Sequence, residues 1–139
     1  MEIKGTYSFT ANPQAVWDGL HNSAMLQSAV PGAQRVSWQG DSIIDVLAQF
    51  GVGPLSRQFL GKVPVTEHTP PSHMKIEVHR DFVDGFLTID LAPQGSGTLL
   101  SYLANFNLTG PLGPMAAMAQ PMIGGQLNHV FARLNEQIH

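Results

Sequence analysis

Alternation of apolar and polar residues with a period of two is the feature that most constrains the fold of this chain. Residues 2–10 alternate cleanly, with Ile3, Tyr7 and Phe9 on one face and charged or hydroxyl-bearing residues on the other. This period is typical of a β-strand that buries one face. The chain is therefore predicted to begin with a half-buried strand.

The same alternation recurs along most of the chain, at 33–38, 42–52, 55–65, 74–78, 86–91 and 98–108. Glycine- and proline-containing turns separate these stretches, and two long antiparallel strands are expected on either side of Gly53-Pro54. Successive short strands joined by tight turns predict an antiparallel meander.

Two short helices are predicted directly after the first strand. Asn12 and Pro13 suit the N-cap and the first helical position of one helix, which contains Trp17. The second helix covers residues 23–30 and is ended by the Pro-Gly pair at 31–32.

A long helix is predicted to close the chain, beginning near Gly110-Pro111 or Gly113-Pro114 and running towards Ile138. Its sheet-facing arc is expected to pack Met115, Met122 and Val130 against the concave side of the sheet. The opposite arc is small and uncharged, and it consists of Ala117, Gly124, Gly125, Asn128 and Ala132. The fold class is thus α+β: a curved antiparallel sheet of about six or seven strands around a C-terminal helix.

Composition narrows the classes of function. The 139 residues, 1–139, suit a single ligand-binding domain, and the absence of cysteine excludes disulfides and thiolate metal sites. A net charge of −3 without a basic stripe argues against nucleic acid as a partner. No signal peptide or membrane span is recognisable, so we expect a cytoplasmic protein, with the inner face of the membrane as a peripheral location.

One region departs from the average composition. Residues 91–132 contain no Asp, Glu, Lys or Arg, although these residues make up 12% of the chain. Because a helix exposed only to water normally carries charge on its outer face, this segment predicts a covered surface. The candidate covers are a second protomer, an oxidoreductase subunit and a membrane surface, ranked in that order, or else the chain's own loops.

A set of short motifs in a fixed order makes the chain resemble the carbon monoxide dehydrogenase G-subunit family, within the superfamily of START domains and polyketide cyclases. The motifs span nearly the whole chain: the first strand running into Pro13 and Val16-Trp17, then Val30-Pro31-Gly32, Gly51-Val52-Gly53-Pro54, Phe59-Leu60-Gly61-Lys62-Val63, Pro70-Pro71, Gly97-Thr98 with Tyr102, and Thr109-Gly110-Pro111-Leu112-Gly113.

The resemblance implies a helix-grip fold with an apolar cavity between the sheet and the last helix. It also implies a non-catalytic role that serves a molybdenum hydroxylase or related oxidoreductase, with a lipid or a quinone as the ligand. Some family members carry a membrane-reaching C-terminal extension. Because this sequence stops at His139 without one, a membrane surface is ranked last among the partners.

The residues expected to line the cavity come from the inward strand phases and the last helix: Phe50, Arg57, Phe59, Met74, Ile76, Tyr102, Phe106, Met115, Met118 and Met122. The methionines have two compatible interpretations, as ordinary core filling or as flexible thioethers that repack around an apolar guest. Arg57 would orient a ligand oxygen if it points inward, or lies in solvent if its strand is bulged. Tyr102 is a core residue whose hydroxyl offers a polar handle.

No catalytic or metal centre and no cofactor is predicted. His73 and His79 share the polar, outward phase of one strand with Glu77, whereas His21, His68, His129 and His139 are isolated in the sequence. Acid–base catalysis needs a positioned titratable group near the substrate, and the inward phases offer little besides Arg57 and Tyr102. The alternatives left open are a cyclase- or dehydratase-like enzyme on an aromatic or polyketide substrate, and a structural interaction protein with a self-filled cavity.

Overall fold

The computed structural model describes the backbone of residues 2–30, 32–50, 57–80 and 82–138. Within these ranges the side chains are described except those of Ala48, Phe50, residues 57–60, Arg80, Leu112, Met115, Ala116, Met118 and Ala119. The described elements, in chain order, are β1 (Glu2–Phe9), α1 (Pro13–Leu20), α2 (Ser23–Ala29), β2 (Ala33–Gln39), β3 (Ile43–Phe50), β4 (Arg57–Thr69), β5 (His73–Arg80), β6 (Val83–Gln94), β7 (Gly97–Leu108), a 3₁₀ segment (Gly110–Met115) and α3 (Ala116–Gln137).

The described strands form one seven-stranded antiparallel sheet in the order β1-β7-β6-β5-β4-β3-β2. Neighbours in sequence are neighbours in the sheet except for β1, which pairs with β7. The predicted meander is therefore confirmed, including the two antiparallel strands β3 and β4 on either side of Gly53-Pro54. β4 ends at Thr69, directly before Pro70-Pro71, and β6 extends further than the alternation indicated, from Val83 to Gln94.

Local signals explain the two short helices. The Asn12 side chain accepts a hydrogen bond from the Ala15 backbone N–H at 2.9 Å, and Pro13 occupies the first helical position of α1, as predicted. Asn22 caps α2 in the same way, through the Met25 N–H at 3.1 Å. Both caps satisfy backbone donors that a helix start leaves unpaired.

The core lies between the sheet and the helices. Among the described side chains of α3 and directly after it, Phe131, Leu134 and Ile138 are buried, near the C-terminal end of the helix. The Phe131 ring lies 6.1 Å from that of Tyr7 and 6.3 Å from that of Phe9, both on β1. The C-terminal half of α3 is thus anchored to the sheet by aromatic packing. No described helix is both long enough and apolar enough to cross a membrane.

The predicted orientation of α3 needs correction. Val130 is half-buried against the core, as predicted. Met122 is 38% exposed, so the prediction that it packs against the concave face is wrong. The sequence places Gly124 on the outer arc, yet a Cβ atom built on it would lie 3.6 Å from Ile3 on β1. The hydrophobic pattern of this helix does not predict which of its sides faces the sheet, because glycines and methionines give a weak periodic signal.

Candidate ligand-binding site

Directly paired residues of neighbouring strands form rows across the concave face of the sheet. One row, here called the closed row, consists of Met74, Ile89 and Tyr102 on β5, β6 and β7. All three side chains are buried. The closed row therefore belongs to the filled part of the core, towards the C-terminal end of α3, where the Tyr102 ring lies 5.6 Å from the Phe131 ring.

The neighbouring residues on the same face are less covered. Ile76 on β5 pairs with Leu87 on β6, and Phe106 on β7 lies two residues beyond buried Ala104. The three residues Ile76, Leu87 and Phe106, here called the open floor, pack against the core but remain half-buried. These three apolar side chains point to the concave face and keep part of their surface in contact with solvent.

The helix side shows the same gradient. Ile123, Leu127 and Val130 on α3 are half-buried and pack against the core, whereas Leu134 and Ile138, further along, are buried. Gly124 lies against Ile3 on β1. Ile3 pairs with Ala104, Ala104 pairs with Leu87, and Leu87 pairs with Ile76, so these four residues form one row across the sheet. The half-buried part of α3 therefore lies at the level of the open floor, and apolar surface is left uncovered on both walls.

The predicted lining residues are distributed as follows. Met74 and Tyr102 lie in the closed row, Ile76 and Phe106 in the open floor, and Met122 on the exposed side of α3. The side chains of Phe50, Arg57, Phe59, Met115 and Met118 lie outside the described residues. The backbone register places Arg57 opposite Phe50, and Phe59 opposite Ala48.

The Tyr102 side chain has a specific spatial requirement. A Cβ atom on Gly5, its partner on β1, would lie 2.6 Å from the phenolic oxygen. The phenol ring thus lies over Gly5, in the space that the side chain of any other residue at this position would occupy. The glycine at position 5 serves this close approach.

Sequence reasoning missed a histidine–tryptophan cluster at the C-terminal end of α1. The His21 and His68 rings are not isolated: their Nε2 atoms lie 2.9 Å apart. The His21 ring stacks on Trp38 with 4.3 Å between ring centroids and lies 4.6 Å from the Trp17 ring. Burial is the main cause that lowers the pKa of His21, which favours its neutral form.

A β-bulge explains why the alternation hid this contact. The register between β4 and β5 shifts between Val65 and Glu67, so that His68 rather than Glu67 or Thr69 is in phase with buried Val65. His68 consequently pairs with Met74 of the closed row. Because a one-residue slip exchanges the two faces of a strand, a strict period of two assigns His68 to the wrong side.

The outward histidines lie on the polar face, as predicted, and each bridges two carboxylates. His73 contacts Asp90 through Nδ1 at 2.6 Å and Glu67 through Nε2 at 2.8 Å. His79 contacts Asp84 through Nδ1 and Glu77 through Nε2. Since carboxylates only accept hydrogen bonds, both ring nitrogens donate, and this raises the pKa of His73, mainly through Asp90, and the pKa of His79, mainly through Asp84.

This geometry predicts a pH-dependent stability. A raised folded-state pKa stabilises the protein below the ordinary value of 6.5, and the contribution is lost as the pH rises through the folded-state pKa. His73→Gln is therefore expected to lower the free energy of unfolding by up to about 1 kcal/mol near pH 6, and by less near pH 9. Urea unfolding at both pH values measures this, with exposed His129→Gln as the control. An equal loss at both pH values would contradict the ion-pair explanation.

The open floor consists of hydrocarbon side chains only. It offers dispersion contacts and desolvation, and its chemical capacity is to bind an apolar molecule rather than to transfer a proton.

Several solved structures are similar to this chain over nearly its whole length. A conserved protein from Geobacillus kaustophilus superposes with a TM-score of 0.80 at 23% identity, over 99% of this chain and 94% of the other. A START superfamily protein from Mycobacterium smegmatis gives 0.75 at 15%, over 99% and 96%. Ara h 8.0201 gives 0.74 at 8%, over 99% and 96%. At these identities the likeness shows the START-like helix-grip fold.

No curated protein sequence matches this chain. The model of one protein family, that of the carbon monoxide dehydrogenase G-subunit (CoxG), matches residues 5–139. The match spans all the elements from β1 to α3 except the first residues of β1. The chain belongs to the CoxG family.

Proposed function

We propose that this protein is a non-catalytic carrier that holds one hydrophobic ligand, lipid- or quinone-like, between the open floor and the half-buried part of α3. The observation that carries the proposal is the apolar surface left uncovered on both walls at the same level. An apolar site of this kind gains roughly 25 cal/mol for each Å² that a ligand removes from water. Residues 1–139 act as one ligand-binding domain.

The remaining predicted lining residues extend this site. Phe50, Phe59, Met115 and Met118 would add apolar surface, and Arg57 would provide a cation for a ligand oxygen. Flexible methionine side chains allow such a wall to adapt to its guest.

Methyl-resolved NMR locates the ligand. Titration with an uncharged, apolar fluorescent probe is expected to shift the methyl resonances of Ile76 and Leu87. Leu100 serves as the internal control, because it is fully buried on the same face of β7. Equal shifts at Leu100 and the open floor, or shifts at neither, would contradict the site.

The partner we propose is a molybdenum oxidoreductase of the carbon monoxide dehydrogenase type, to which the protein presents its ligand. Support comes from the family's description and from the outer face of α3, where Ala117 and Asn128 are exposed and a Cβ atom on Gly125 meets nothing within 4 Å. This face is free of charge and open to a close approach by another backbone.

Gly125→Glu is expected to weaken association with the partner or with a second protomer, because it places a charge in the contact. Pull-down and sedimentation measure the loss, with exposed Gln27→Glu on α2 as the matched control. Unchanged association of the Gly125 variant would remove this face from the proposal.

A further inference from the structure

The His21 and His68 rings meet through atoms of the same kind. His21 follows α1 as its C-cap residue, and His68 lies near the end of β4. Their Nε2 atoms are 2.9 Å apart, a hydrogen-bond distance, although the two residues are 47 positions apart in the sequence. Two imidazole nitrogens at this distance hold one proton between them.

The other nitrogen of His21 fixes which atom carries the lone pair. Nδ1 lies 2.8 Å from the Trp17 carbonyl oxygen, which can only accept, so Nδ1 carries the hydrogen. In the neutral ring Nε2 is then an acceptor, and His68 must donate to it through its own Nε2–H. The point between the two rings is therefore occupied by a proton that faces a preformed nitrogen lone pair.

We propose that His21 and His68 form a two-histidine binding site for a divalent transition-metal ion of the class that imidazole prefers, such as Zn²⁺. The ion takes the place of the shared proton. His68 moves its hydrogen from Nε2 to Nδ1, so the neutral pair binds the ion without net proton release. Tetrahedral zinc with nitrogen ligands at about 2.0–2.1 Å separates them by about 3.3 Å and lies to one side of the line that joins them, so the rings have to move apart by about 0.4 Å and each has to tilt by roughly 35°.

The hydrogen bond at the second ring nitrogen of His21 is one that a metal-bound histidine typically makes. A metal-bound histidine usually donates its second N–H to a carbonyl or carboxylate, which orients the ring and raises the electron density on the ligating nitrogen. The Trp17 carbonyl already does this for His21. The Trp17 and Trp38 rings hold the His21 ring in place from two sides.

Electrostatic influences on His21 act in both directions. Burial and the neighbouring His68 disfavour a positive charge there, whereas the carboxylates of Asp18 and Asp41 favour one. Among the described residues no group of three or more histidine, cysteine or carboxylate side chains is arranged around one metal position. The two histidines therefore supply two ligands, and water supplies the others, which makes this an open site that binds the ion more weakly than zinc sites with three or four protein ligands.

Equilibrium dialysis of the full chain against Zn²⁺ at neutral pH tests the site. Wild-type protein is expected to bind one ion at this pair, and His21→Gln and His68→Gln are each expected to lower the affinity at least about tenfold. His129→Gln, an exposed histidine on α3, is the matched control and should leave the affinity unchanged.

A second measurement does not depend on the folding of the variants. In wild-type protein, Zn²⁺ should shift the ¹⁵N resonances of both Nε2 atoms, of His21 and His68, at the same ion concentration. The proposal is overturned if neither resonance moves at saturating Zn²⁺, or if folded His21→Gln and His68→Gln variants bind the ion as tightly as the wild type.

Discussion

Replacing Phe131 by alanine is expected to lower the free energy of unfolding by about 3–5 kcal/mol, the range measured for large aromatic side chains removed from a core. Phe131 is 2% exposed, and its ring lies within about 6.3 Å of the rings of Tyr7, Phe9 and Tyr102. The substitution removes these contacts and leaves a cavity between α3 and the sheet.

Urea unfolding monitored by far-ultraviolet circular dichroism measures this loss. Exposed His129→Ala on the same helix is the control and should change the free energy of unfolding by less than about 0.5 kcal/mol. Since small domains are stable by only about 5–15 kcal/mol, the Phe131 variant should lose a large part of its stability. A loss below about 1 kcal/mol would show that this residue does not anchor α3.

Replacing Ile76 by tryptophan is expected to abolish binding of an apolar probe while the protein stays folded. Ile76 faces the concave side and is half-buried, so the larger indole can extend into the space above the open floor instead of overpacking a filled core. The indole would then occupy the volume that the ligand needs.

Fluorescence titration with the uncharged apolar probe measures the effect, and circular dichroism confirms the fold. Ala92→Trp adds the same indole at an exposed position of β6 and should leave the dissociation constant unchanged. Equal affinity of the Ile76 variant and the wild type would place the ligand elsewhere on the protein.

The sheet was predictable because its residues obey one simple pattern. Alternation in residues 2–10 and 98–108 indicated two strands, and the structure pairs them in register from Glu2 with Asn105 to Phe9 with Thr98. Asn12 and Pro13 identified the start of α1, because a cap and a first-turn proline act locally. Patterns formed by residues that are neighbours in the chain predict secondary structure well, because they do not depend on how distant parts of the chain pack.

The candidate site was less predictable, since it depends on contacts between distant residues. The inward positions of Ile76 and Phe106 followed from strand phase, but the exposure of Met122 depends on the rotation of α3, which a weakly periodic sequence does not specify. The contact between His21 and His68 depends on a bulge, and alternation carries no signal for an inserted residue.

The central claim, that the grip holds an apolar ligand, is tested most directly by native mass spectrometry of freshly purified protein. Wild-type protein is expected to show an additional mass, and organic extraction should release a lipid- or quinone-like molecule of that mass. The Ile76→Trp variant, purified in parallel, should lack the additional mass, because its indole fills the site. Wild-type protein that carries no apolar molecule and binds none on incubation with extracted lipids and quinones would contradict the account.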